Sequence, residues 1–239
     1  MVNNIFFDFH VHVKSGNEKL IMEAKRLGYS GVAVVKHSDE YDEDARDDLK
    51  RLKQEFEKPG FQVRSAVELA VKSPEDLKRK TKKFRGKADV LIVRGGDLKV
   101  NRAACEDPRI DILSKPYKGC RDGGINHVLA RKAAENEVAI ELNLKYLLKT
   151  GLRHRYKVFN QFRSIIKLQR KFNFPVIITS DATSIYDLRT PQDITALSQC
   201  FQMTANEVEQ ALSETPQRII KRNEMRGSVV LSGVRIVEP

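Results

Sequence analysis

The sequence of 239 residues contains no tryptophan, and its three cysteines, Cys105, Cys120 and Cys200, stand far apart and form no C-x-x-C pair. An odd number of isolated cysteines argues against a disulfide framework and a zinc ribbon, and it suits a reducing compartment. No hydrophobic run approaches the roughly 20 residues that cross a membrane, and the N-terminus lacks the basic segment of a signal peptide. These absences predict a cytoplasmic protein without a membrane partner.

Acidic residues are absent between Leu142 and Ser180, although 31% of the chain is charged. That segment carries His154 and a series of lysines and arginines: Lys145, Lys149, Arg153, Arg155, Lys157, Arg163, Lys167, Arg170 and Lys171. The whole chain has a formal net charge of +11 and a pI near 9.5. Such an excess points to a polyanionic partner, most simply nucleic acid; the alternative is a proteome that is basic throughout.

Residues 153–172 fit one amphipathic helix at about 100° per residue. Its apolar face is predicted to contain Val158, Phe162, Ile165, Gln169 and Phe172. Its opposite face is predicted to contain Arg153, Lys157, Lys167 and Lys171. Because no acid forms i,i+4 pairs on it, such a helix repels itself, and a bound polyanion relieves the repulsion. Aromatic residues interleave poorly with the basic ones, so we expect contact with phosphates and folded RNA shape rather than base stacking.

Short apolar segments alternate with charged amphipathic ones. The predicted strands are 5–13, 31–37, 62–71, 89–94, 111–116, 139–144 and 175–181. The predicted helices are about 18–27, 42–57, 74–84, 100–105, 126–136, 153–172 and 191–202. This α/β alternation, with strands rich in Val, Ile and Leu, predicts a distorted TIM-like barrel of about seven parallel strands with surrounding helices. The alternative is a flavodoxin-like open sheet.

Helix starts are marked by hydroxyl residues. Ser73 and Thr190 each precede a proline at the first helical position, with acids in the first turn. A capping box from Thr204 to Glu207 opens a helix to about residue 212, and Thr215 begins another. We assign residues 1–226 to a single barrel domain, and 227–239 to a tail that is either an added edge strand or disordered.

The segment 6–13 reads Phe-Phe-Asp-Phe-His-Val-His-Val. Alternation along a strand predicts two sides, one with Phe7, Phe9, Val11 and Val13, the other with Asp8, His10 and His12. In α/β barrels, the residues that do chemistry lie at the carboxyl ends of strands. Those positions are predicted to be His10, His12, His37, Asp39, Glu68, Lys115, Asn143, Asp181 and Thr183. Imidazoles and carboxylates at such ends are the ligands of a hydrolytic metal cluster.

In this respect the chain resembles the polymerase-and-histidinol-phosphatase (PHP) metal-dependent phosphoesterases. The matching pieces are Asp8-Phe-His10-Val-His12, Lys36-His37-Ser-Asp39, Ala66-Val-Glu68-Leu and Ser180-Asp181-Ala182. The resemblance implies a PHP-like barrel, and one candidate function is a free-standing PHP-type phosphoesterase.

Three positions depart from the PHP pattern. That family has Asp-His where this chain has Lys36-His37, and His-Pro where this chain has Lys115-Pro116. It has Asp-x-His where this chain has Asp181-Ala-Thr183. An ammonium is a poor metal ligand because it is protonated near neutral pH. We therefore expect no tightly bound metal. Weak candidates for one ion are His10, His12, His37 and Glu68; the alternative is that they are remnants that only hydrogen-bond at the barrel mouth.

The middle and C-terminal half resembles a second family, the barrel-shaped ribonuclease P protein subunits, which include archaeal component 3 and the eukaryotic thirty-kilodalton subunit. The resemblance spans roughly residues 88–212. It rests on Asp111-Ile-Leu-Ser-Lys-Pro116, Gly124-Ile-Asn-His-Val-Leu-Ala-Arg-Lys132, Asn136-Glu-Val-Ala-Ile-Glu-Leu-Asn143, Gly151-Leu-Arg-His-Arg155, Pro175-Val-Ile-Ile-Thr-Ser-Asp-Ala182 and Leu188-Arg-Thr-Pro-Gln-Asp193.

This resemblance implies a seven-stranded barrel without its own active site. It would bind the catalytic RNA and help it remove the 5′ leader from precursor tRNA, with Mg²⁺ held by the RNA and no cofactor held by the protein. The implied partners are a small α/β subunit, component 2, for which a heterotetramer is one assembly, and the other protein subunits. The predicted RNA-binding residues are Lys145, Lys149, Arg153, Arg155, Lys157, Arg163, Lys167, Arg170, Lys171 and Arg189.

Overall fold

The computed structural model describes residues 5–14, 16–226, 229–231 and 234–235. Seven strands form one sheet: β1 Phe7–Val11, β2 Gly31–His37, β3 Gln62–Leu69, β4 Val90–Arg94, β5 Ile112–Ser114, β6 Ala139–Asn143 and β7 Val176–Thr179. Each strand pairs in parallel with the next one in the chain. The barrel closes where the segment after β7 meets β1: Ala182 N donates to His10 O at 3.1 Å, and His12 N donates to Ala182 O at 2.8 Å. The predicted barrel is confirmed, and the open-sheet alternative is wrong.

One or more helices follow each strand of the barrel. They are α1 Lys19–Arg26, α2 Glu43–Phe56, α3 Pro74–Phe84, α4 Leu98–Glu106, α5 His127–Glu135, α6 Leu144–Lys149, α7 Leu152–Phe172, α8 Pro191–Ser198, α9 Ala205–Glu209 and α10 Thr215–Arg226. The predicted caps are confirmed: Ser73 Oγ accepts from Asp76 N at 3.2 Å, and Thr190 Oγ1 accepts from Asp193 N at 3.1 Å.

Two helical features differ from the prediction. Helix α6 was missed because its short apolar sequence reads as the end of a strand; Asn143, the last residue of β6, caps it by accepting from Tyr146 N at 2.8 Å. The helix predicted to end near residue 212 instead continues through a π-helical turn, Gln210–Glu214, directly into α10.

The buried side chains form two layers. The inner cluster fills the barrel and consists of strand residues together with Ile219 of α10, which packs with the partly buried Ile220 against it. The outer, larger cluster lies between the strands and the surrounding helices. Because both faces of the sheet are covered, the strands are apolar on both sides, as expected for parallel strands.

Strand β1 contains one residue more than the matching part of β2. Asp8 lies opposite Val32 but Val11 lies opposite Val34, so the register shifts between them. An inserted residue reverses the side on which later side chains fall. Phe7 and Phe9 accordingly belong to the inner cluster, whereas Val11 and Val13 belong to the outer one. The prediction that these four side chains share one side is therefore wrong.

The predicted tail, 227–239, is described only in part. Val229–Leu231 and Val234–Arg235 are two short strands that pair with each other in antiparallel fashion. The other tail positions lie outside the described residues, and the assignment of 1–226 as one domain stays a prediction. Within the described ranges, no helix is both long and apolar enough to cross a membrane.

Candidate functional site

Six strands and the turns that follow them bring titratable side chains to one end of the barrel. These side chains, here called the mouth cluster, are His10, Glu68, Arg94, Lys115, Glu141 and Asp181. His10, Glu68 and Glu141 are completely buried. The cluster adjoins a cavity of about 540 Å³ that is also lined by His12, His37, Lys14, Lys36 and Lys118. The sequence predicted four members correctly and missed Arg94 and Glu141.

His10 is the centre of the mouth cluster. Its Nδ1 lies 2.6 Å from Glu141 Oε1, and its Nε2 lies 3.6 Å from Asp181 Oδ1 and 3.9 Å from Glu68 Oε1. Burial alone lowers the pKa of His10, but the carboxylates, with Glu141 first, outweigh it and raise the pKa to about 9. His10 is therefore an imidazolium at neutral pH.

Glu141 is held by donors from three strands. Its Oε1 accepts from Thr179 Oγ1 at 2.6 Å, and its Oε2 accepts from Ser114 Oγ at 2.6 Å and from Asn143 Nδ2 at 3.3 Å. Burial acts to raise the pKa of Glu141, but His10 outweighs it, and the result is a lowered pKa. This carboxylate stays ionised because donors and a cation surround it.

Lys115 supplies a second fixed cation. Its backbone is left-handed, with φ of 50°, at the turn after β5. Its Nζ lies 2.8 Å from Asp181 Oδ2 and 3.7 Å from Glu68 Oε1. Burial lowers the pKa of Lys115, but the neighbouring carboxylates outweigh burial, so the pKa is raised and the ammonium persists. Lys115 therefore occupies the cluster as a charge, not as a ligand.

Arg94, at the end of β4, neutralises Glu68. Its guanidinium donates to Glu68 Oε2 and lies 3.1 Å from His37 Nδ1. Burial acts to raise the pKa of Glu68, but His37, His10 and Arg94 outweigh it and hold that pKa well below its usual range. With His10, Arg94 and Lys115 positive and Glu68, Glu141 and Asp181 negative, the cluster is neutral overall.

One metal ion could be held only by part of this arrangement. In the described residues, the potential ligand atoms of His10, His12 and Asp181 lie within 4.8 Å of one another. This set differs from the predicted one, since Asp181 replaces His37 and Glu68. The cluster is already neutral, so a dication would have to displace the proton of His10 or compete with Lys115 for Asp181. The residues fit a weak site at most.

Asp39 and Thr183, two of the predicted strand-end residues, bind partners outside the mouth cluster. Asp39 is exposed and pairs with Lys80 at 2.8 Å. Thr183, at a predicted ligand position, instead donates to Asp187 Oδ2 at 3.1 Å and accepts from Lys145 Nζ at 2.7 Å. Neither side chain completes a metal site.

The second candidate region is the outer side of α7. The side chains of Val158, Phe162 and Ile165 are buried, and Gln169 and Phe172 are partly buried. On the opposite side, four cations are exposed and form what we call the basic face of α7: Arg153, Lys157, Lys167 and Lys171. In the described part of the chain, these four have no ion pair and no side-chain hydrogen bond. The predicted amphipathic division is confirmed.

The other predicted RNA-binding residues have partners within the protein. Three of them pair with acids: Arg170 binds both oxygens of Glu207, and Lys145 and Lys149 lie 3.5 Å and 3.7 Å from Asp187. The rest donate to backbone oxygens: Arg155 to Leu148 O, Arg163 to Cys200 O and Arg189 to Tyr186 O. Acids distant in sequence thus neutralise part of a segment that lacks acids itself.

Comparison with known proteins identifies the family. The family model described as "RNase P subunit p30" matches residues 5–228. The chain is 47% identical over 234 residues to "Ribonuclease P protein component 3" of Methanothermobacter thermautotrophicus, covering 97% of this chain and 95% of the relative. It is 38% identical to the protein of the same name from Methanococcoides burtonii, covering 100% and 97% of the two chains.

Solved structures agree with this result. A chain of an archaeal ribonuclease P with mature tRNA matches with a TM-score of 0.83 and 34% identity, covering 98% of both chains. A histidinol phosphate phosphatase of Lactococcus lactis, in complex with zinc, L-histidinol and phosphate, matches with a TM-score of 0.55 at 11% identity, covering 91% and 93% of the two chains, which shows a shared fold only. The chain therefore belongs to the ribonuclease P subunit p30 family.

Proposed function

We propose that this protein acts by binding the catalytic RNA of ribonuclease P, mainly through the basic face of α7. The observation that carries the proposal is that Arg153, Lys157, Lys167 and Lys171 are exposed and lack acidic partners in the described residues. Four like charges on one side of a helix repel one another, and RNA phosphates would relieve this. The RNA would cleave the 5′ leader of precursor tRNA, assisted by this subunit.

The chemistry would belong to the RNA and to Mg²⁺ that the RNA holds. The mouth cluster supports this assignment because its charges are already balanced within the protein. The isolated chain should not hydrolyse precursor tRNA or phosphomonoesters, and it should hold no cofactor or tightly bound metal. Elemental analysis that finds two or more zinc, manganese or iron ions per chain would favour the phosphoesterase instead.

The partners proposed for this chain follow from its family. They are the ribonuclease P RNA, the small α/β subunit component 2, in a heterotetramer as one assembly, and the remaining protein subunits, in the cytoplasm. Reconstitution with RNA and component 2 should raise cleavage of precursor tRNA above that of the RNA alone.

The decisive experiment measures RNA affinity as a function of salt. Each phosphate contact contributes about 0.7 to 0.9 to the slope of log affinity against log salt, because condensed counterions are released. Changing Lys157, Lys167 and Lys171 together to Ala should reduce this slope by roughly two to three units. Folding should be nearly unaffected, since the three side chains are exposed and Ala favours helices.

A matched control is the triple change of Lys50, Arg51 and Lys53 to Ala on α2. These three cations also lie on a single helix, but acids face each of them: Asp47 at 2.9 Å, Asp48 at 2.8 Å and Asp89 at 3.7 Å, respectively. The slope of log affinity against log salt for this triple variant should equal that of the parent protein. Equal slopes for both triple variants and the parent would remove α7 from the RNA interface.

A further inference from the structure

The turn after β7 exposes a tyrosine at the rim of the barrel mouth. Tyr186 lies in the 3-10 turn Ile185–Asp187, and 82% of its surface is exposed. The aromatic content of the chain gave no indication of this, since exposure is decided by the fold. A single exposed apolar side chain is ordinary in proteins, so its surroundings must show whether it has a role.

The turn that carries Tyr186 is held firmly. Asp187 Oδ2 accepts from Thr183 N at 3.1 Å, from Thr183 Oγ1 at 3.1 Å and from Ser184 N at 3.2 Å. The Arg189 guanidinium donates to the carbonyl oxygen of Tyr186 at 2.7 Å, and Tyr29 Oη donates to Arg189 O at 2.9 Å. The ring therefore projects from an ordered backbone, so binding through it costs little conformational entropy.

Positive charge surrounds the turn. Lys145 Nζ lies 3.5 Å and Lys149 Nζ 3.7 Å from the carboxylate of Asp187, next to Tyr186. Arg189 adds a third cation to this turn, since its guanidinium contacts the carbonyl oxygen of Tyr186. The Lys149 side chain is 71% exposed, which leaves it able to reach a phosphate. An aromatic face beside such cations matches an unpaired nucleotide, whose base stacks while its phosphates meet the lysines.

We propose that Tyr186 stacks on an unpaired base of the bound RNA, and that Lys145 and Lys149 contact the phosphates beside that base. The inference rests on the proposed RNA-binding function and adds a base contact to a surface that otherwise meets only phosphates. A protein partner fits the turn less well, because it would have to cover the lysines as well as the ring.

The absence of tryptophan allows a direct test. Tyr186→Trp places the only tryptophan of the chain at the rim, where a stacked base should quench its fluorescence when RNA is titrated into the full-length protein. Leu98→Trp is the matched control: Leu98 is 61% exposed at the start of α4, which follows β4 at the same end of the barrel but across the mouth from β7. Its tryptophan should keep its fluorescence.

Affinity measurements on the same RNA complete the test. Loss of one stacked base costs about 1–3 kcal/mol, so Tyr186→Ala should weaken binding by roughly 5- to 150-fold. Its salt slope should stay that of the parent, because stacking releases no counterions. Tyr186→Phe keeps the aromatic face and should bind like the parent. Lys149→Ala should instead lower the slope by about 0.7 to 0.9.

Several results would overturn the inference. One is that Tyr186→Ala binds the RNA alone with the affinity of the parent. Another is that RNA quenches the tryptophan fluorescence of Tyr186→Trp and Leu98→Trp equally. Loss of affinity only when the other protein subunits are present would assign Tyr186 to a protein contact instead. If RNA binding by the parent depends on salt but all Tyr186 variants bind the RNA as tightly as the parent, the stacking proposal is wrong and the proposed function stands. A parent without salt-dependent RNA binding would refute both.

Discussion

The mouth cluster and the basic face of α7 both concentrate charge, but they use it in opposite ways. In the mouth cluster, cations and carboxylates lie within hydrogen-bonding distance of one another, as in the 2.6 Å contact of His10 with Glu141. On the face of α7, like charges such as Lys157 and Lys167 point into solvent. Burying a charge is tolerable only when it is paired, whereas an exposed charge needs no partner.

This difference explains why the barrel mouth fits a structural role. The charges that could hold a metal or polarise a phosphate are neutralised by Lys115 and Arg94. The charges of α7 remain available to a polyanion. Mutations that unpair a buried charge should therefore have the largest effects, and changes at exposed or unpaired positions the smallest.

Glu141→Gln should lower the free energy of unfolding by about 3–5 kcal/mol, because it leaves the His10 imidazolium without its closest carboxylate in a buried site. Urea denaturation measures the change. Glu135→Gln is the control, since Glu135 pairs with Lys132 at the surface and is 49% exposed; its effect should stay within about 0.5 kcal/mol. A loss for Glu141→Gln no larger than that of the control would mean that the mouth cluster is not held together by paired charge.

The stability of the parent should also fall in alkaline solution. The pKa of His10 is raised from 6.5 to about 9, so its contribution is fully present below pH 6.5 and is lost as the pH rises through about 9. The loss amounts to about 3 kcal/mol by linkage. Unfolding measured across this range should show the decline for the parent and not for His10→Gln. The same decline in both proteins would contradict the charged state of His10.

On the α7 side, Glu207→Gln should strengthen RNA binding slightly. Glu207 binds Arg170 through both oxygens, and Arg170 is the first cause of its pKa lying near 2. Without that carboxylate, Arg170 would be free to contact phosphate, and the salt slope should rise by up to about 0.9.

The control for this change is Glu106→Gln. Glu106 also pairs with an arginine, Arg102, but on α4. The salt slope of this variant should match that of the parent. A slope for Glu207→Gln that also matches the parent would place Arg170 outside the RNA contact.

The smallest effect is expected at two histidines of the mouth. His12→Ala and His37→Ala should each leave cleavage of precursor tRNA by the reconstituted enzyme within about twofold, because no step of the reaction would depend on them. Circular dichroism verifies that each variant is folded. If a folded variant lost more than about tenfold of the cleavage activity, the barrel mouth would have a catalytic role.

The local pattern of the chain was sufficient to predict the barrel and the amphipathic helix. Strand 31–37 and helix 74–84 were predicted with the bounds that the structure shows. The buried and exposed sides of α7 also followed from its helical period. Such features are set by residues a few positions apart, so their physical cause lies within a short window of sequence.

Tertiary structure alone decided which charges are free. Glu141 joins the mouth cluster because barrel closure leaves only β7 between β6 and β1, so Glu141 meets His10 from 131 positions away. Arg170 is neutralised by Glu207 although its own segment has no acid. Tyr186 is exposed because its turn is fixed by Asp187 and Arg189. Pairing and exposure depend on distances through space, and a sequence specifies those only after the chain has closed into a barrel.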